Sequence, residues 1–480
     1  MIDPIYILVI GMVIVVGGII VFKLHPFIAL IAAAIVVAIL TPANELQAYY
    51  IAKGLSASEA LKQVNKSIGE RIATEFGNTC MRIGLLIASA SIIGKAMFES
   101  GAAEKVVRSM IKVTGIRNAP VGFILSGFFM TIPVFIDTVL FLMMPLAKAM
   151  SLRSSKNYLL LVLTVIAGAT MANSYVPPSP GPLYLVSALN VPIGLAILCG
   201  ILLGLCTISV GYLIANYLNK KYHIPLRDSP DIRLDEIKAI AGKADTDLPA
   251  LGWAVLPALF PMIMICIRSF TEAFYKTNSY SPLPWIHKTI EGILFFGDKN
   301  IAILTGAAFA LMVLVKEKNT DQDKLKAFLQ SALMNGGAII LITAAGGAFG
   351  GMLQQSGIST RIADMTKGYQ IALIPLAFLI TMVVRTAQGS ATVALITASG
   401  ILAGMAQNAD LGFNTVYLYL AIGSGAKLIP WMNDAGFWIM CKTSNLTEKE
   451  ALKTIAPMQS LMGITGLILT MIAAKIFPMV

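Results

Sequence analysis

A cluster of prolines interrupts a long apolar run in the first half of the chain. Four prolines lie within residues 177–182, and apolar sequence flanks them on both sides. Proline lacks a backbone N–H and clashes with the preceding helical turn, so a regular helix cannot pass through this segment. At bilayer depth, the backbone groups freed by such a break must face protein, water or a ligand. The sequence therefore predicts a binding site between two half-helices at Asn173–Pro182.

The composition indicates a polytopic membrane protein. Of the 480 residues, 57% are hydrophobic and 13% are charged, and the mean hydropathy is +0.78, far outside the range of soluble globular domains. The first apolar run lacks the basic start and cleavage site of a signal peptide, so we interpret it as a retained helix. Apolar runs of spanning length lie at 4–22, 26–41, 82–98, 157–187, 193–217, 250–270, 299–315, 337–354, 415–441 and 457–477.

The basic residues predict the orientation of the chain. The formal charge is +11, and Lys and Arg collect in the loops 105–117, 220–243 and 316–326. Short basic loops stay cytoplasmic, so this charge sets membrane topology and does not indicate nucleic-acid binding. Two further apolar stretches, 120–150 and 369–406, carry polar residues near their centres. The orientation requires both to be re-entrant helical hairpins, which enter and leave on one side, and it places both termini outside.

The two halves of the chain resemble each other at a constant offset. Residues 93–101 align with 349–357, an offset of 256 residues, and the same offset carries the break at 173–182 onto Ile429–Trp438. This second stretch is also an apolar run interrupted by Pro and Gly. Given the loop charges, the first copy runs in the opposite sense to the second. Corresponding breaks in two inverted halves are the best sequence pointer to a midplane binding site.

The predicted fold is an all-α polytopic membrane protein, an inverted-topology repeat with two re-entrant helical hairpins and two broken helices. The first repeat covers residues 1–218, a cytoplasmic linker covers 219–248, and the second repeat covers 249–480. An amphipathic segment precedes the aligned glycine of each repeat, at 57–79 and 320–335. The hairpins are predicted at 120–150 and 369–406, and the broken helices at 157–187 and 415–441.

The tip of the first hairpin places one carboxylate, Asp137, beside Thr138 deep in apolar sequence. A charged side chain at membrane depth is energetically costly, so Asp137 is predicted to be functional, with Thr138 as a substrate-binding candidate. An acid in this position suits the uptake and release of a proton, and an ionised Asp137 would equally hold Na⁺. The structural alternative is an acid that pairs with a buried cation or caps the second arm of the hairpin.

The tip of the second hairpin is rich in small and polar residues, with Arg385, Gln388, Gly389, Ser390 and Thr392 as candidates for substrate binding. Small residues let the backbone approach a ligand, while hydroxyl and amide groups supply neutral hydrogen bonds. Arg385 is suited to hold a carboxylate, and a helix that begins at Ser390 or Thr392 would face an anion with its positive end. Alternatively, Arg385 extends to the interface and Ser390 only caps the second arm.

The two breaks supply the remaining candidates. Those for substrate binding are Asn173, Ser179 and Gly181 in the first break and Asn433 in the second. Asp434 is a second acid at membrane depth, so it competes with Asp137 for the role of coupling proton or ion binding to transport. Lys427 either neutralises Asp434 in a structural pair or contacts the substrate, because buried charges are normally paired.

Other function classes lack their signatures. No Gly-rich Lys-Ser/Thr phosphate loop is present, so ATP-driven transport within this chain is not indicated. The three histidines and five cysteines are scattered, which gives no pattern for a metal site, a disulfide framework or a Ser-His relay. We therefore predict no enzyme, no metal and no cofactor. The remaining rival is a passive anion channel, which would share the polar centre.

Four motifs follow one another through both halves. They are Ile-Pro-Val-Phe-Ile-Asp-Thr at 132–138, Val-Pro-Pro-Ser-Pro-Gly-Pro at 176–182, Arg-Thr-Ala-Gln-Gly-Ser-Ala-Thr-Val-Ala at 385–394 and Ser-Gly-Ala-Lys-Leu-Ile-Pro-Trp-Met-Asn-Asp-Ala-Gly-Phe-Trp at 424–438. With these motifs the chain resembles the gluconate permease (gluconate:proton symporter) family of the ion-transporter superfamily.

The resemblance implies an elevator-type fold, in which a scaffold forms a homodimer in the bilayer and a mobile part carries the substrate. It also implies proton-coupled import of gluconate or a related sugar acid across the cytoplasmic (inner) membrane of a prokaryote. Where the family pattern has His between the prolines of the first break, this chain has Ser179, which cannot titrate. A sulfonate, a short hydroxy acid, a D-serine-like substrate and Na⁺ coupling therefore remain open.

Overall fold

The computed structural model contains helices and no strands over the residues that it describes, which are 3–115, 118–154, 158–222, 224, 226, 248–277, 284–318, 321–358, 361, 372–408, 411–431 and 434–479. The helices are α1 (Pro4–Ile20), α2 (Pro26–Leu40), α3 (Ala43–Ala52), α4 (Ala57–Val64), α5 (Ile68–Glu99), α6 (Ala102–Thr114), α7 (Ala119–Thr131), α8 (Ile136–Ser154), α9 (Tyr158–Tyr175), α10 (Pro180–Ala188), α11 (Ile193–Lys221), α12 (Leu251–Thr277), α13 (Pro284–Phe296), α14 (Lys299–Lys318), α15 (Gln322–Gln355), α16 (Leu373–Gln388), α17 (Ala391–Asn408), α18 (Val416–Gly425), α19 (Ala435–Ser444) and α20 (Glu448–Ile476).

The described part of the chain includes seven spans that are long and apolar enough to cross a membrane. An eighth is added if α2 and α3, which meet at an angle of 102°, form one bent span. The half-helices α9 and α10 count together as one span, Tyr158–Ala188, which is the most deeply buried of the set. Backbone hydrogen bonds inside each helix satisfy the polar groups that a bilayer cannot. The prediction of an all-α polytopic membrane protein is confirmed.

Several helices begin at residues that satisfy the free backbone amides of a first turn. At the start of α5, Ser67 accepts from the amide of Glu70, and the Glu70 carboxylate accepts from the amide of Ser67. Thr447 and Glu450 form the same reciprocal capping box at the start of α20. Such caps stabilise a helix by about 1 kcal/mol each and fix the residue at which it begins. These polar starts therefore position long apolar helices in register.

The centre of the molecule is the antiparallel pair α5 and α15. Gly336, Gly347 and Gly351 on α15 face Ser91, Thr79 and Glu75 on α5, and an added Cβ at each glycine would lie within 3 Å of its neighbour. Small residues permit such close packing of helices in membranes. The predicted amphipathic segment 320–335 and the apolar run after it form one helix, α15, whereas the segment 57–79 is divided between α4 and the first turns of α5.

A polar network joins the two central helices near one end of the pair. Arg71 donates to Gln355 Oε1 from Nε and Nη2, at 3.0 and 2.7 Å, and Gln355 Nε2 donates to Glu75 at 3.4 Å. Arg71 and Gln355 are both buried. Interhelical hydrogen bonds of this kind hold membrane helices together. The network therefore explains why an amphipathic stretch of sequence continues into a spanning helix.

Corresponding elements recur along the chain at nearly one offset. The starts of α7 to α11 and of α16 to α20 lie between 254 and 258 residues apart, pair by pair, and α5 and α15 end 256 residues apart. In each half, the equivalent pair of helices makes close contact at a glycine. An added Cβ on Gly168 of α9 would meet the Ile124 carbonyl of α7, and one on Gly425 of α18 would meet the Phe378 carbonyl of α16. The sequence similarity between the halves thus extends to helix bounds and packing.

Parts of the predicted organisation lie outside the described residues. Of the linker predicted at 219–248, the structure describes 219–222, 224, 226 and 248, and α11 continues into it as far as Lys221. The first residues of the second hairpin, 369–371, are also outside. The division of the chain at this linker and the opposite orientation of the two halves stay predictions.

Candidate functional site

The first hairpin turns between Thr131 and Ile136, where Pro133 stops the helix. Gly94 of α5 packs against this turn, since a Cβ there would lie 3.3 Å from both the Pro133 carbonyl oxygen and the Val134 Cα. Helix α8 begins directly after the turn, so Asp137 falls in its first turn. Residues in the first turn of a helix lie beside its positive end. The sequence therefore holds the predicted acid at the tip of the hairpin.

The first break lies between α9 and α10, and the Pro177–Pro178 peptide bond within it is cis. Ser179 is buried, and its hydroxyl donates to the carbonyl of Thr131 at 3.3 Å, which ties the break to the first hairpin. Gly181 packs against Leu395 of α17, whose Cδ1 would lie 2.5 Å from an added Cβ. These two residues position the break within the protein. Neither belongs to the cavity described below.

The second hairpin turns at Gly389, which ends α16 with a left-handed φ of +73° that favours glycine. Ser390 follows, and its hydroxyl accepts a hydrogen bond from the amide of Val393 at 3.4 Å. Ser390 therefore caps α17, which is the structural role considered for it in the sequence analysis. The first turn of α17 also contains Thr392. The side chain of Gln388 lies outside the described part of the structure.

An open cavity of about 510 Å³ collects the hairpin tips and the first break in one place. Five of the predicted residues line it: Asp137, Thr138, Asn173, Ser390 and Thr392. Asp137 is exposed to this space, and it is the one ionisable side chain among the described residues of the lining. A concave site of this size, apolar with a few convergent polar groups, suits a small-molecule ligand. The arrangement agrees with a binding site between the two hairpins.

Three helices begin at the wall of the same cavity, and α8 and α17 offer free backbone N–H groups there, whereas Pro180 and Pro182 remove those of α10 except at Gly181. The walls of the cavity include Ile136 at the start of α8, Pro180 at the start of α10 and Thr392 in the first turn of α17. The first amides of a helix have no partner within that helix, and together with the helix dipole they favour an anion. The cavity can therefore compensate a negative ligand charge without an arginine in its lining.

Two polar cavity residues were missed by the sequence analysis. Asn335 and Thr343 lie on α15 and line the cavity opposite the hairpin tips, together with Ile339 and Ile342. Asn335 ends the amphipathic segment predicted at 320–335, where a polar residue is expected to face solvent, and Thr343 lies within an apolar run. Polar side chains spaced by eight residues on one helix share a face, so a helical-wheel projection of an uninterrupted α15 would have found them.

A second group of buried charges holds the second break. Arg385 of α16 forms an ion pair with Asp434, and its Nε donates to the carbonyl of Ala426 at 3.0 Å. Asp434 also accepts from the amide of Gly436 at 2.8 Å, which caps α19. Trp431 Nε1 donates to the Thr386 carbonyl at 2.9 Å, on the same side of the break. These contacts bind the second break to the end of α16.

The partner of Asp434 differs from the one that the sequence suggested. Arg385 forms the ion pair, whereas Lys427 is buried beside both residues and has no ion pair among the described residues. Asp137 lies close enough to Asp434 for their charges to interact, since α8 packs on α19. Arg385 does not line the cavity, so its role as a substrate ligand stays a prediction. Asn433 lies outside the described residues.

The whole chain is similar to known permeases. Residues 3–476 match the GntP family permease pattern. The chain belongs to the GntP permease family. It is 29% identical over 458 residues to a gluconate permease of Pseudomonas aeruginosa, covering 95% of this chain and 94% of that protein. It is 28% identical over 408 residues to the low-affinity gluconate transporter of Escherichia coli K12, covering 83% of this chain and 86% of that one.

Two solved structures share the fold of this GntP family member. One is the YdaH transporter of Alcanivorax borkumensis, with a TM-score of 0.60, 12% identity and coverage of 88% of this chain and 90% of that chain. The other is MtrF of Neisseria gonorrhoeae, with a TM-score of 0.58, 14% identity and coverage of 84% and 83%. The predicted family is confirmed. The chain is thus a multi-pass membrane permease and not an enzyme.

Proposed function

We propose that this permease imports gluconate or a related small hydroxylated carboxylate, coupled to protons, across the cytoplasmic membrane of a prokaryote. The names of its bacterial relatives support the substrate class and the location. The observation that carries the proposal is the cavity of about 510 Å³, which joins the Asp137 carboxylate, several neutral hydrogen-bonding groups and the N-termini of α8 and α17. Such a set suits an anion that also carries hydroxyl groups.

The substrate carboxylate binds at the helix N-termini, and its hydroxyls bind the neutral side chains. Amides at the starts of α8 and α17 supply the positive potential. Thr138, Asn173, Ser390 and Thr392 from the hairpins and the break exchange hydrogen bonds with the hydroxyls. Asn335 of α15 adds a donor and an acceptor from the opposite wall. A site built to bond hydroxyls discriminates against a ligand that lacks them, because its own polar groups are then left unpaired.

The proposal assigns proton coupling to Asp137, the one carboxylate among the described residues of the cavity lining. An ionised Asp137 repels a bound carboxylate, by about 4 kcal/mol for two charges 4 Å apart at an effective dielectric constant of 20. Protonation of Asp137 removes that repulsion, so the substrate and the proton favour each other's binding by the same factor. Asp137 is exposed to the cavity, which gives protons access to it. Asp137 therefore carries the coupling proton.

Asp434, the competing candidate, has a structural role in this proposal. Its carboxylate is neutralised by Arg385 and also caps α19, so release of either contact would leave a buried group unsatisfied. The pair fixes the tip of the second hairpin at the edge of the cavity. Arg385 then affects substrate binding indirectly, because it holds the tip of the second hairpin in place.

The transport cycle uses the repeat. We propose that the halves are inverted in the membrane, that each hairpin is re-entrant and that the hairpins move together past α5 and α15 as an elevator. The common offset of the helix bounds and the similarity to two transporters support this. The scaffold forms a homodimer. Native mass spectrometry from nanodiscs tests the last point, since a strictly monomeric protein that still transports would contradict it.

Transport against a gradient tests the function. Purified protein in liposomes is loaded at alkaline internal pH and diluted into acidic medium with radiolabelled gluconate, and a parallel sample receives a Na⁺ gradient at equal pH. We expect accumulation above the external concentration under the pH gradient alone. Accumulation under the Na⁺ gradient alone would assign the coupling to Na⁺. Simple equilibration of gluconate would indicate a passive channel.

A further inference from the structure

A second cavity, polar and smaller, lies between α5, α10, α15 and α17. Its volume is about 80 Å³, and charged and hydrogen-bonding side chains line it, among them Lys53, Glu75, Arg82, Tyr184, Ser187 and Gln354. Lys53 and Arg82 are exposed residues, so the cavity is reachable from the surface. It has room for the carboxylate end of a small organic anion. None of the sequence motifs includes its charged residues.

The second cavity lies in line with the central one. Three helices line both cavities, and on each of them the nearest residues are four positions apart: Thr343 and Gly347 on α15, Ile396 and Gly400 on α17, and Pro180 and Tyr184 on α10. Four helical residues rise by about 6 Å. The two cavities are therefore separated by about one helical turn. In the orientation that the loop charges predict, the second cavity lies on the outer side.

The layer between the cavities is apolar and thin. Ile396 packs against Gly346, where an added Cβ would lie 2.0 Å from its Cγ2, and Leu395 packs against Gly181. One helical turn further along α17, at the wall of the second cavity, the backbones of Gly350 and Gly400 cross in direct contact. The side chains of Leu395 and Ile396 thus close the path between the cavities. Rotation of Leu395 and Ile396, or movement of α17, would join the two spaces.

The charges of the second cavity favour an anion. Arg82 lies near the middle of the 32-residue helix α5 and has no ion pair among the described residues. An unpaired arginine at membrane depth is costly unless water or an anion reaches it. Glu75 is already bonded to Gln355, and Lys53 lies 4.5 Å above the ring of Tyr49. The Tyr49 hydroxyl, near both Glu75 and Arg82, is buried without a hydrogen-bond partner among the described residues.

We propose that this second cavity is an outer binding site for the carboxylate group of the transported anion, held by Arg82 and Lys53 before it passes Leu395 and Ile396 to the central cavity. The inference rests on the proposed transport of an organic anion. Tyr184, Ser187 and Gln354 bond its nearest hydroxyls. Glu75 lowers the affinity and so keeps the site from trapping the anion.

Charge-selective modification of a thiol in the cavity tests the proposal without any transport. Ser187→Cys places a thiol in the lining, and peptide mass spectrometry of the full-length protein follows its reaction with anionic sulfonatoethyl and cationic trimethylammonioethyl methanethiosulfonate. Arg82→Gln should lower the anionic-to-cationic rate ratio about fivefold, and Glu75→Gln should raise it by a similar factor, the change expected for one nearby unit charge. Taking ratios between variants cancels the intrinsic reactivity of the reagents.

Gluconate provides the second readout, with sorbitol as the uncharged control. Saturating gluconate should slow the anionic reaction at position 187 at least threefold, sorbitol should not, and Arg82→Gln should abolish the protection. Ratios that do not change with either charge substitution, or an absence of protection by gluconate, would overturn the outer site. Protection together with failure of the liposome uptake would instead refute transport and leave the site standing.

Discussion

The ion pair between Arg385 and Asp434 makes the sharpest stability prediction. Asp434→Asn removes the charge that compensates Arg385 and retains the side-chain oxygen that caps α19. Both side chains are at least 91% buried, so water does not screen the loss. Breaking one partner of a buried pair costs about 3–5 kcal/mol. The Nη1 of Arg385 already lacks a hydrogen-bond partner among the described residues, so loss of the ion pair adds to an unmet buried donor.

A double-mutant cycle measures the pair, with thermal unfolding in detergent as the assay. Asp434→Asn and Arg385→Gln should each lower the apparent melting temperature by several degrees. The double variant should be more stable than the sum of the single effects predicts, because neither member of the pair is left without its partner's charge. The reasoning is refuted if Asp434→Asn melts like the wild type while its uptake no longer responds to a pH gradient. Asp434 would then be the coupling residue.

Two further predictions concern packing and binding. Gly168→Ala should prevent correct folding, because its Cβ would lie 2.0 Å from the backbone carbonyl oxygen of Ile124. The control Gly84→Ala on α5 meets nothing within 4 Å and should fold normally. The yield of monodisperse protein on size exclusion checks both variants, and a normal yield of Gly168→Ala would contradict the α7–α9 contact. Asn335→Ala should raise the KM for gluconate about tenfold, as expected for the loss of about 1.4 kcal/mol of hydrogen bonding. The neighbouring Met334 is 69% exposed and outside the cavity lining, so Met334→Ala should leave KM unchanged. Equal effects of the two substitutions on KM would remove Asn335 from the site.

Local sequence signals located most of the cavity. Proline stops helices at Pro133 and at the first break, and Gly389 ends α16, so the hairpin tips and the break are visible without a structure. Asp137 is conspicuous because an acid interrupts apolar sequence. Each of these features depends on a few residues that are neighbours in the sequence, so the sequence alone reveals them. All of them reach the cavity or its edge.

Long-range choices among partners were not predictable. Several cations lie near Asp434 in the sequence, which does not rank Arg385 against Lys427; the packing of α16 on α18 makes the choice. Ser179 is directed to the Thr131 carbonyl by the packing of the first hairpin on the break. Asn335 enters the cavity because α15 continues as one helix. Each case depends on tertiary packing, for which no local pattern carries information.

The most direct test of proton coupling compares accumulation with exchange in Asp137→Asn. Asparagine resembles the protonated acid in shape and charge, so the variant should still exchange internal for external gluconate in counterflow. It should fail to accumulate gluconate under an imposed pH gradient, because no proton can bind at position 137. Accumulation at the wild-type ratio by Asp137→Asn would contradict the assignment of the coupling proton to Asp137.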